Sequence, residues 1–290
     1  MKKSFLSPES SFFWGIIGSI WQFLFFYIPL SFLVAVSFIC YNPAFKTSYF
    51  SLMHYAKLFK PVYAHIMFRS LCLATTAVLA TLCIAYPVAY YLAIKVRRFR
   101  TFWFALVIIP FWTNFLLLVY SWYFLFENEG LINNILIKLG LISTPLHLIN
   151  STFAVYVGII YGYLPFMLLP LYSAFEAFDV RLLEASADLG ASYFQTFKNI
   201  IVPLTMPGIK TGALLVFVPV FGEFVIPALL GGDKTMYVGS VITHYFLTIR
   251  DVSLGSAFTC LSALVLVGAI LFYYAVARVI AYIGLIRRKS

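Results

Sequence analysis

The strongest constraint on this sequence is a set of long stretches that carry no charged side chain. Each is at least as long as the roughly 20 residues that an α-helix needs to cross the hydrocarbon core of a bilayer. The mean hydropathy of the chain is +0.96, well above that of a water-soluble fold. The sequence therefore predicts an integral membrane protein. The charge-free stretches are residues 10–45, 70–94, 101–126, 139–175 and 252–277.

A further apolar run, residues 209–231, contains Glu223. We count it as a span because hydrophobic segments flank this carboxylate on both sides. The prediction is an all-α, polytopic membrane protein with six transmembrane helices in a single domain, residues 1–290, and with residues 176–207 as a cytoplasmic loop. The predicted spans are residues 12–40, 68–94, 102–126, 151–175, 209–231 and 254–283.

Positive charge is distributed unevenly across this predicted topology. The chain has 20 Lys and Arg against 10 Asp and Glu. Six spans place 13 of the 20 basic residues on the side of the two termini. Because Lys and Arg are enriched in cytoplasmic loops, both termini are predicted to be cytoplasmic. Topology and attraction to anionic membrane lipid explain the net charge of +10, so we expect no nucleic-acid partner.

The cysteines and histidines show no spacing that fits a metal or catalytic site. The cysteines fall within spans or at their ends, and the histidines lie in or near outer loops. The chain also lacks the GxxxxGK[ST] loop that cradles nucleotide phosphates. We therefore expect no catalytic residue, no metal site and no cofactor bound by the chain itself. These residues are Cys40, Cys72, Cys83, Cys260, His54, His65, His147 and His244.

The loop at residues 176–207 differs in composition from its apolar flanks. Its first part, Glu176 to Asp188, holds four of the ten acids of the chain, and Gly190 then permits a turn with positive φ. An apolar stripe with helical spacing follows, and Pro203 and Pro207 are expected to limit that helix. The pattern predicts two short helices at an angle, with an exposed aromatic face. The stripe is Tyr193, Phe197, Ile200, Ile201 and Leu204.

The same loop carries a motif with fixed gaps. It consists of Glu184-Ala185-Ser186, three residues, Gly190, nine residues, Ile200, one residue and Val202-Pro203. This resembles the EAA loop of type I ABC importer permeases, with Ser186 in place of Ala and Val202 in place of Leu. The resemblance implies the fold of those permeases and a coupling loop that docks on a separate ATPase, present in two copies, which binds ATP and Mg²⁺. The implied coupling residues are Glu184, Ala185, Gly190, Ile200 and Pro203, to which we add Tyr193 and Phe197 from the stripe.

Other stretches resemble the spermidine/putrescine importer permeases, in particular the first of their two permease subunits. They are residues 86–93, 109–114, 129–142, 205–232 and 250–258. The resemblance implies polyamine import across the bacterial cytoplasmic (inner) membrane. It also implies a second permease subunit and an external, periplasmic substrate-binding protein as partners.

A polyamine path needs carboxylates to offset the desolvation of its ammonium groups and aromatic faces for cation–π contacts. Glu223 supplies a carboxylate at membrane depth, where ionisable groups usually have a function. The alternative for Glu223 is a structural ion pair, for example with Lys234, or a helix cap. The alternative for the aromatic residues is anchoring at the membrane interface. The predicted path residues are Glu223, Phe221, Tyr120 and Trp122.

Three other functions remain open at this point. A permease of the same type could carry another solute, such as ferric iron, sulfate or a phosphonate, although sulfate fits poorly with a carboxylate on the path. A secondary carrier working alone would have no use for the coupling loop. A membrane-embedded enzyme would need a nucleophile or metal cluster that the sequence does not show.

Overall fold

The computed structural model describes residue 16 and residues 18–42, 47–96, 98–232 and 236–286. Nearly all of their regular structure is helical, which confirms the all-α prediction. The helices are α1 (Gly18–Ser37), α2 (Met53–Leu58), α3 (Pro61–Lys95), α4 (Arg100–Trp112), α5 (Phe115–Phe126), α6 (Leu131–Lys138), α7 (Thr152–Glu176), α8 (Arg181–Asp188), α9 (Tyr193–Phe221), α10 (Val238–Ile249) and α11 (Val252–Ile286). The strands are β1 (Ile39–Asn42) and β2 (Thr47–Phe50).

Five helices are long and apolar enough to cross a membrane, namely α1, α3, α7, α9 and α11. Helix α4 forms a bent pair with the helical stretch that comprises α5 and α6. This pair is a sixth span if it is counted as one crossing. The prediction of a polytopic helical membrane protein is therefore confirmed. The start of the first predicted span, the basic tail at residues 287–290 and Lys234 lie outside the described residues.

The third predicted span, residues 102–126, contains a sharp break. The chain bends by 84° between Trp112 and Phe115. Pro110 lies in the 3₁₀ turn that ends α4, and the Asn114 side chain caps α5 by accepting the N–H of Leu116 at 2.9 Å. The break has a local cause, because a capping Asn favours a new helix start over continuation of the old one.

The fifth span also differs from its predicted bounds of 209–231. Helix α9 begins much earlier, at Tyr193, and ends at Phe221, so Glu223 lies in a turn beyond the helix. The expectation that Pro203 and Pro207 limit the preceding helix is wrong, since α9 continues through both. A π-helical turn at Phe197–Ile201 precedes Pro203, and local departures of this kind accommodate proline in membrane helices.

The described chain divides into two compact units. One unit comprises residues 1–64 and 242–290, and the other comprises residues 65–241. In the first unit α1 packs against α11, β1 pairs antiparallel with β2, and the hydroxyls of Tyr63 and Tyr245 lie 2.5 Å apart.

The unit of residues 65–241 is organised around the contact between α7 and α9. A Cβ atom added at Gly208 would lie 2.7 Å from both the Ala174 Cβ and the Pro170 carbonyl oxygen, and one at Gly212 would lie 2.7 Å from the Met167 Sδ. The two helices therefore approach more closely than a methyl group allows. Small residues four positions apart produce such close packing between membrane helices.

Candidate functional site

The coupling loop, residues 176–207, turns sharply at Gly190, whose φ is +73°. The N–H of Gly190 donates to the Ala187 carbonyl at 2.9 Å, and the N–H of Ala191 donates to the Ser186 carbonyl at 3.0 Å. These two bonds form a Schellman motif that ends α8. The glycine of the sequence motif is thus required by its backbone conformation, because left-handed φ is costly for other residues.

The second arm of the coupling loop begins with a capping box. The Ser192 hydroxyl accepts the N–H of Gln195 at 3.3 Å, and the Gln195 side chain accepts the N–H of Ser192 at 2.8 Å. Both bonds satisfy amides that the start of α9 would leave unpaired. The turn between α8 and α9 is therefore fixed at both ends by local hydrogen bonds.

Large apolar side chains at this turn point away from the rest of the chain. Leu189 is 87% exposed and Tyr193 is 98% exposed, and Phe194 is also exposed. The motif residues Glu184 and Ala185 are exposed on α8 as well. A cluster of exposed apolar side chains next to acidic residues is typical of a protein docking surface.

The predicted apolar stripe divides into two parts. Tyr193 is exposed, whereas Ile201 is buried within the bundle. Phe197 lies between them, and its ring contacts the ring of Tyr86 on α3 with centroids 5.8 Å apart. Ile200 is half-buried and Pro203 is exposed. Leu204, the last residue of the predicted stripe, is exposed, so the stripe reaches the interior of the helical unit at Ile201 and not along its whole length.

Glu223 is 7% exposed and lies in the turn after α9. Its Oε1 accepts the N–H groups of Phe224 at 3.0 Å, Val225 at 2.8 Å and Ile226 at 3.4 Å. Its Oε2 accepts the hydroxyl proton of Tyr163 on α7. Both carboxylate oxygens are thus hydrogen-bonded, as a buried charge requires.

This geometry corresponds to the helix-cap alternative for Glu223. Its carboxylate lies at the N-terminus of the helical segment that starts at Val225 and continues as the π-helical turn Pro227–Gly231. A negative charge is stabilised at that end of a helix. Within the described residues no Lys or Arg forms an ion pair with Glu223. An ion pair elsewhere in the described chain joins Arg100 to Glu176 at 3.5 Å.

The start of α10 packs closely against the turn that holds Glu223. A Cβ atom at Gly239 would lie 2.2 Å from the Gly222 carbonyl oxygen. The start of α10 is itself fixed, since the N–H of Val238 donates to the Ser70 hydroxyl at 2.9 Å. Beside it, Arg69 lies over the Tyr237 ring at 5.8 Å, and burial raises the pKa of the Tyr237 phenol.

The bend between α4 and α5 opens onto a groove of about 340 Å³. Trp122 and Tyr161 line it, with ring centroids 5.4 Å apart. Tyr120 is exposed elsewhere on α5, and Phe221 is buried. Tyr161 and Tyr163 lie on different faces of α7, since two residues correspond to about 200° of helical rotation.

The predicted path residues are therefore not brought together at one point. Glu223 and Phe221 share the turn after α9, whereas Trp122 lies in the groove at the other face of α7. Sequence reasoning missed Tyr163, because a tyrosine within an apolar run gives no signal of its hydrogen-bond partner. Among the described residues no group of three or more His, Cys, Asp or Glu side chains is placed to hold a metal ion.

Several membrane-spanning helices and an exposed loop between α7 and α9 are the features expected of a membrane permease subunit. Residues 85–282 match the family model described as binding-protein-dependent transport system inner membrane component. The chain belongs to this family. It is accordingly a multi-pass protein of the inner membrane.

The chain is also similar to individual transport proteins. It is 41% identical over 260 residues to the spermidine/putrescine transport system permease protein PotB of Escherichia coli (strain K12), covering 89% of this chain and 94% of that protein. Identity to PotB of Haemophilus influenzae is 40%, covering 88% and 89%. Identity to the inner membrane ABC transporter permease protein YdcU of Escherichia coli (strain K12) is 30%, covering 72% and 70%. These similarities confirm the resemblance found in the sequence.

The fold is similar to that of solved transporters. A bacterial ABC transporter involved in the import of the acidic polysaccharide alginate superposes with a TM-score of 0.72, at 17% identity, covering 93% of this chain and 96% of that one. The alginate transporter in complex with an alginate pentasaccharide-bound periplasmic protein also has a TM-score of 0.72, at 19% identity, covering 93% and 94%. At this identity the similarity concerns the fold alone.

Proposed function

We propose that the chain is the permease subunit of an ATP-driven importer of polyamines such as spermidine and putrescine. The observation that carries the proposal is the 41% identity, over nearly the whole chain, to permeases of spermidine/putrescine transport systems. The composition of the predicted path agrees with a cationic substrate, since it offers a carboxylate and aromatic rings.

The energy for transport would come from a separate ATPase that docks on the coupling loop. The complete importer would contain two copies of this ATPase. The exposed Leu189, Tyr193 and Phe194 provide the apolar part of the docking surface. The carboxylate of Glu184 and the surrounding acids provide the polar part. ATP and Mg²⁺ would be bound by that partner, which makes this chain a transport subunit and not itself an enzyme.

Two further partners complete the proposed importer. A second permease subunit would supply the other half of the translocation path, and a periplasmic binding protein would deliver the substrate. The family description, which names binding-protein-dependent transport, supports the second of these. With the coupling loop in the cytoplasm, the excess of basic residues on the same side supports cytoplasmic N- and C-termini.

Glu223 has a gating role in this proposal. Its carboxylate is occupied by three backbone amides and by Tyr163 in the state described here. A rearrangement of the turn after α9 would release these donors and leave the charge available to an ammonium group. Phe221, Tyr120 and Trp122 would contact the methylene chain and the charges of the substrate at successive points.

The test is ATP-dependent uptake of labelled spermidine and putrescine into proteoliposomes that contain the chain with its co-encoded partners. We expect saturable uptake that requires ATP, is inhibited by unlabelled polyamine, and is reduced by Glu223→Gln. The matched control is Glu127→Gln, an exposed glutamate outside both sites. Coupled ATPase activity without polyamine uptake would contradict the substrate and would direct attention to ferric iron, sulfate or phosphonates.

A further inference from the structure

The two arms of the coupling loop meet at a pair of side-chain hydroxyls. Ser186 on α8 is 5% exposed, and its Oγ lies 3.0 Å from the Thr196 Oγ1 in the first turn of α9. The Ser186 hydroxyl also donates to the Leu183 carbonyl at 2.8 Å. Because that bond uses the single proton of Ser186, the Thr196 hydroxyl is the donor to Ser186. The backbone of α8 thus sets the direction of the bond.

The side chains around the Ser186–Thr196 pair show what holds α8 and α9 together. Leu189 and Tyr193, which flank the turn, are directed outward and are nearly fully exposed. Their side chains therefore contribute little to holding α8 against α9. The two arms are joined by the backbone turn at Gly190 and by the part-buried hydrogen bond between Ser186 and Thr196.

Thr196 is followed directly by residues that contact the membrane helices. The next residue, Phe197, begins the π-helical turn, and its ring packs on Tyr86 of α3. The Tyr86 hydroxyl in turn lies 3.0 Å from the Thr205 Oγ1 on the buried face of α9. A displacement of α8 that passes through the Ser186–Thr196 bond therefore reaches both α3 and α9.

We infer that Ser186 and Thr196 are positioning residues for energy coupling, which hold α8 at a fixed angle to α9 so that movement imposed on α8 reaches the membrane helices. The inference rests on the proposed function, since it assumes a docked ATPase. The loop motif has Ala at the position of Ser186, and an alanine there would carry no hydroxyl for this bond.

The test uses the complete importer in proteoliposomes and compares four variants, one of which combines Ser186→Ala with Thr196→Val. Thr196→Val and Ser186→Ala each remove the bond, whereas Thr196→Ser keeps the hydroxyl and serves as the matched control. The measured quantities are the number of spermidine molecules transported per ATP hydrolysed and the amount of ATPase retained by the purified complex. The first reports coupling and the second reports assembly.

We expect Thr196→Val to lower the transport-to-hydrolysis ratio about fivefold, in line with the loss of one hydrogen bond, with ATPase retention unchanged. Thr196→Ser, which keeps the hydroxyl, should have the wild-type transport-to-hydrolysis ratio. The double variant should be no worse than either single variant, because all three lack the same interaction.

Two results would overturn the inference while leaving the proposed function intact. One is a wild-type ratio in Thr196→Val. The other is a parallel loss of ATPase retention and uptake at constant ratio, which would assign the pair a purely structural role. Absence of ATP-driven polyamine uptake by the wild-type complex, with active ATPase, would instead remove the proposed function and the inference together.

Discussion

Tyr163 on α7 donates its hydroxyl proton to the carboxylate of Glu223, which lies 60 positions further along the chain. The bond joins the middle of one membrane helix to the turn that ends another. Three backbone amides complete the hydrogen bonding of the same carboxylate. The turn after α9 is therefore held by a buried charge whose donors come from two different elements.

The first prediction concerns this bond. Tyr163→Phe removes the donor to a charged acceptor and should destabilise the protein by about 1.5–3 kcal/mol. The measurement is thermal unfolding of the purified protein in detergent. Tyr161→Phe is the matched control, because it removes a hydroxyl from the same helix and keeps the ring contacts with Trp122 and Phe111. Equal losses of thermal stability in both variants would show that the bond to Glu223 does not contribute to stability in the expected way.

The second prediction concerns the left-handed turn of the coupling loop. Gly190→Ala should cost about 1–2 kcal/mol in backbone strain, since the φ of Gly190 is +73° and its added Cβ would meet nothing within 4 Å. Gly140→Ala provides the control, because Gly140 has a φ of +69° and equally open surroundings.

Both glycine variants should lose similar stability, but only Gly190→Ala should reduce ATP-driven uptake and ATPase binding. The measurements are thermal unfolding and retention of the ATPase during affinity purification. A similar loss of ATPase binding in Gly140→Ala would indicate a general folding defect and would contradict the assignment of Gly190 to coupling.

The third prediction concerns the close approach of α7 and α9. Gly208→Ala should lower the yield and thermal stability of the protein, because its Cβ would lie 2.7 Å from the Pro170 carbonyl oxygen, and the helices would have to separate. Gly268→Ala on α11 should be neutral, since no atom lies within 4 Å of its added Cβ. Gly208→Ala with wild-type stability would show that the helices separate at no measurable cost.

The fourth prediction concerns the exposed turn of the coupling loop. Tyr193→Ala should leave thermal stability within about 0.5 kcal/mol of wild type, as expected for an exposed side chain. It should weaken ATPase binding at least tenfold, as truncation of an aromatic anchor does. The measurement is titration of detergent-solubilised permease complex with the ATPase. Leu139→Ala, another exposed apolar residue, should bind the ATPase normally.

The sequence predicted the helical spans and the turn at Gly190 because both depend on local patterns. Long apolar runs reveal spans regardless of tertiary structure, and Gly190 marks a turn through its own backbone freedom. The exposed Tyr193 also followed from the spacing of the stripe. Predicting these features requires no knowledge of which elements contact each other.

Other features depend on contacts between distant residues or on local backbone geometry, which hydropathy does not report. The break at Asn114 lies within a run that carries no charged residue, so residues 102–126 resemble one continuous span. Glu223 was placed inside a span because Pro227 and the apolar residues after it extend the hydrophobic stretch beyond the end of α9. Its partner Tyr163 and the bond between Ser186 and Thr196 could be found only from the folded chain.

The continuity of α9 gives the coupling loop a mechanical connection to the Glu223 turn. At about 1.5 Å per residue, the 29 residues of α9 form a lever about 43 Å long. If its fulcrum is the tight contact with α7 near Gly208, a tilt of about 5° moves each end by about 2 Å in opposite directions. Displacement of Tyr193 at one end is then converted, without any change of fold, into displacement of the chain beside Glu223 at the other.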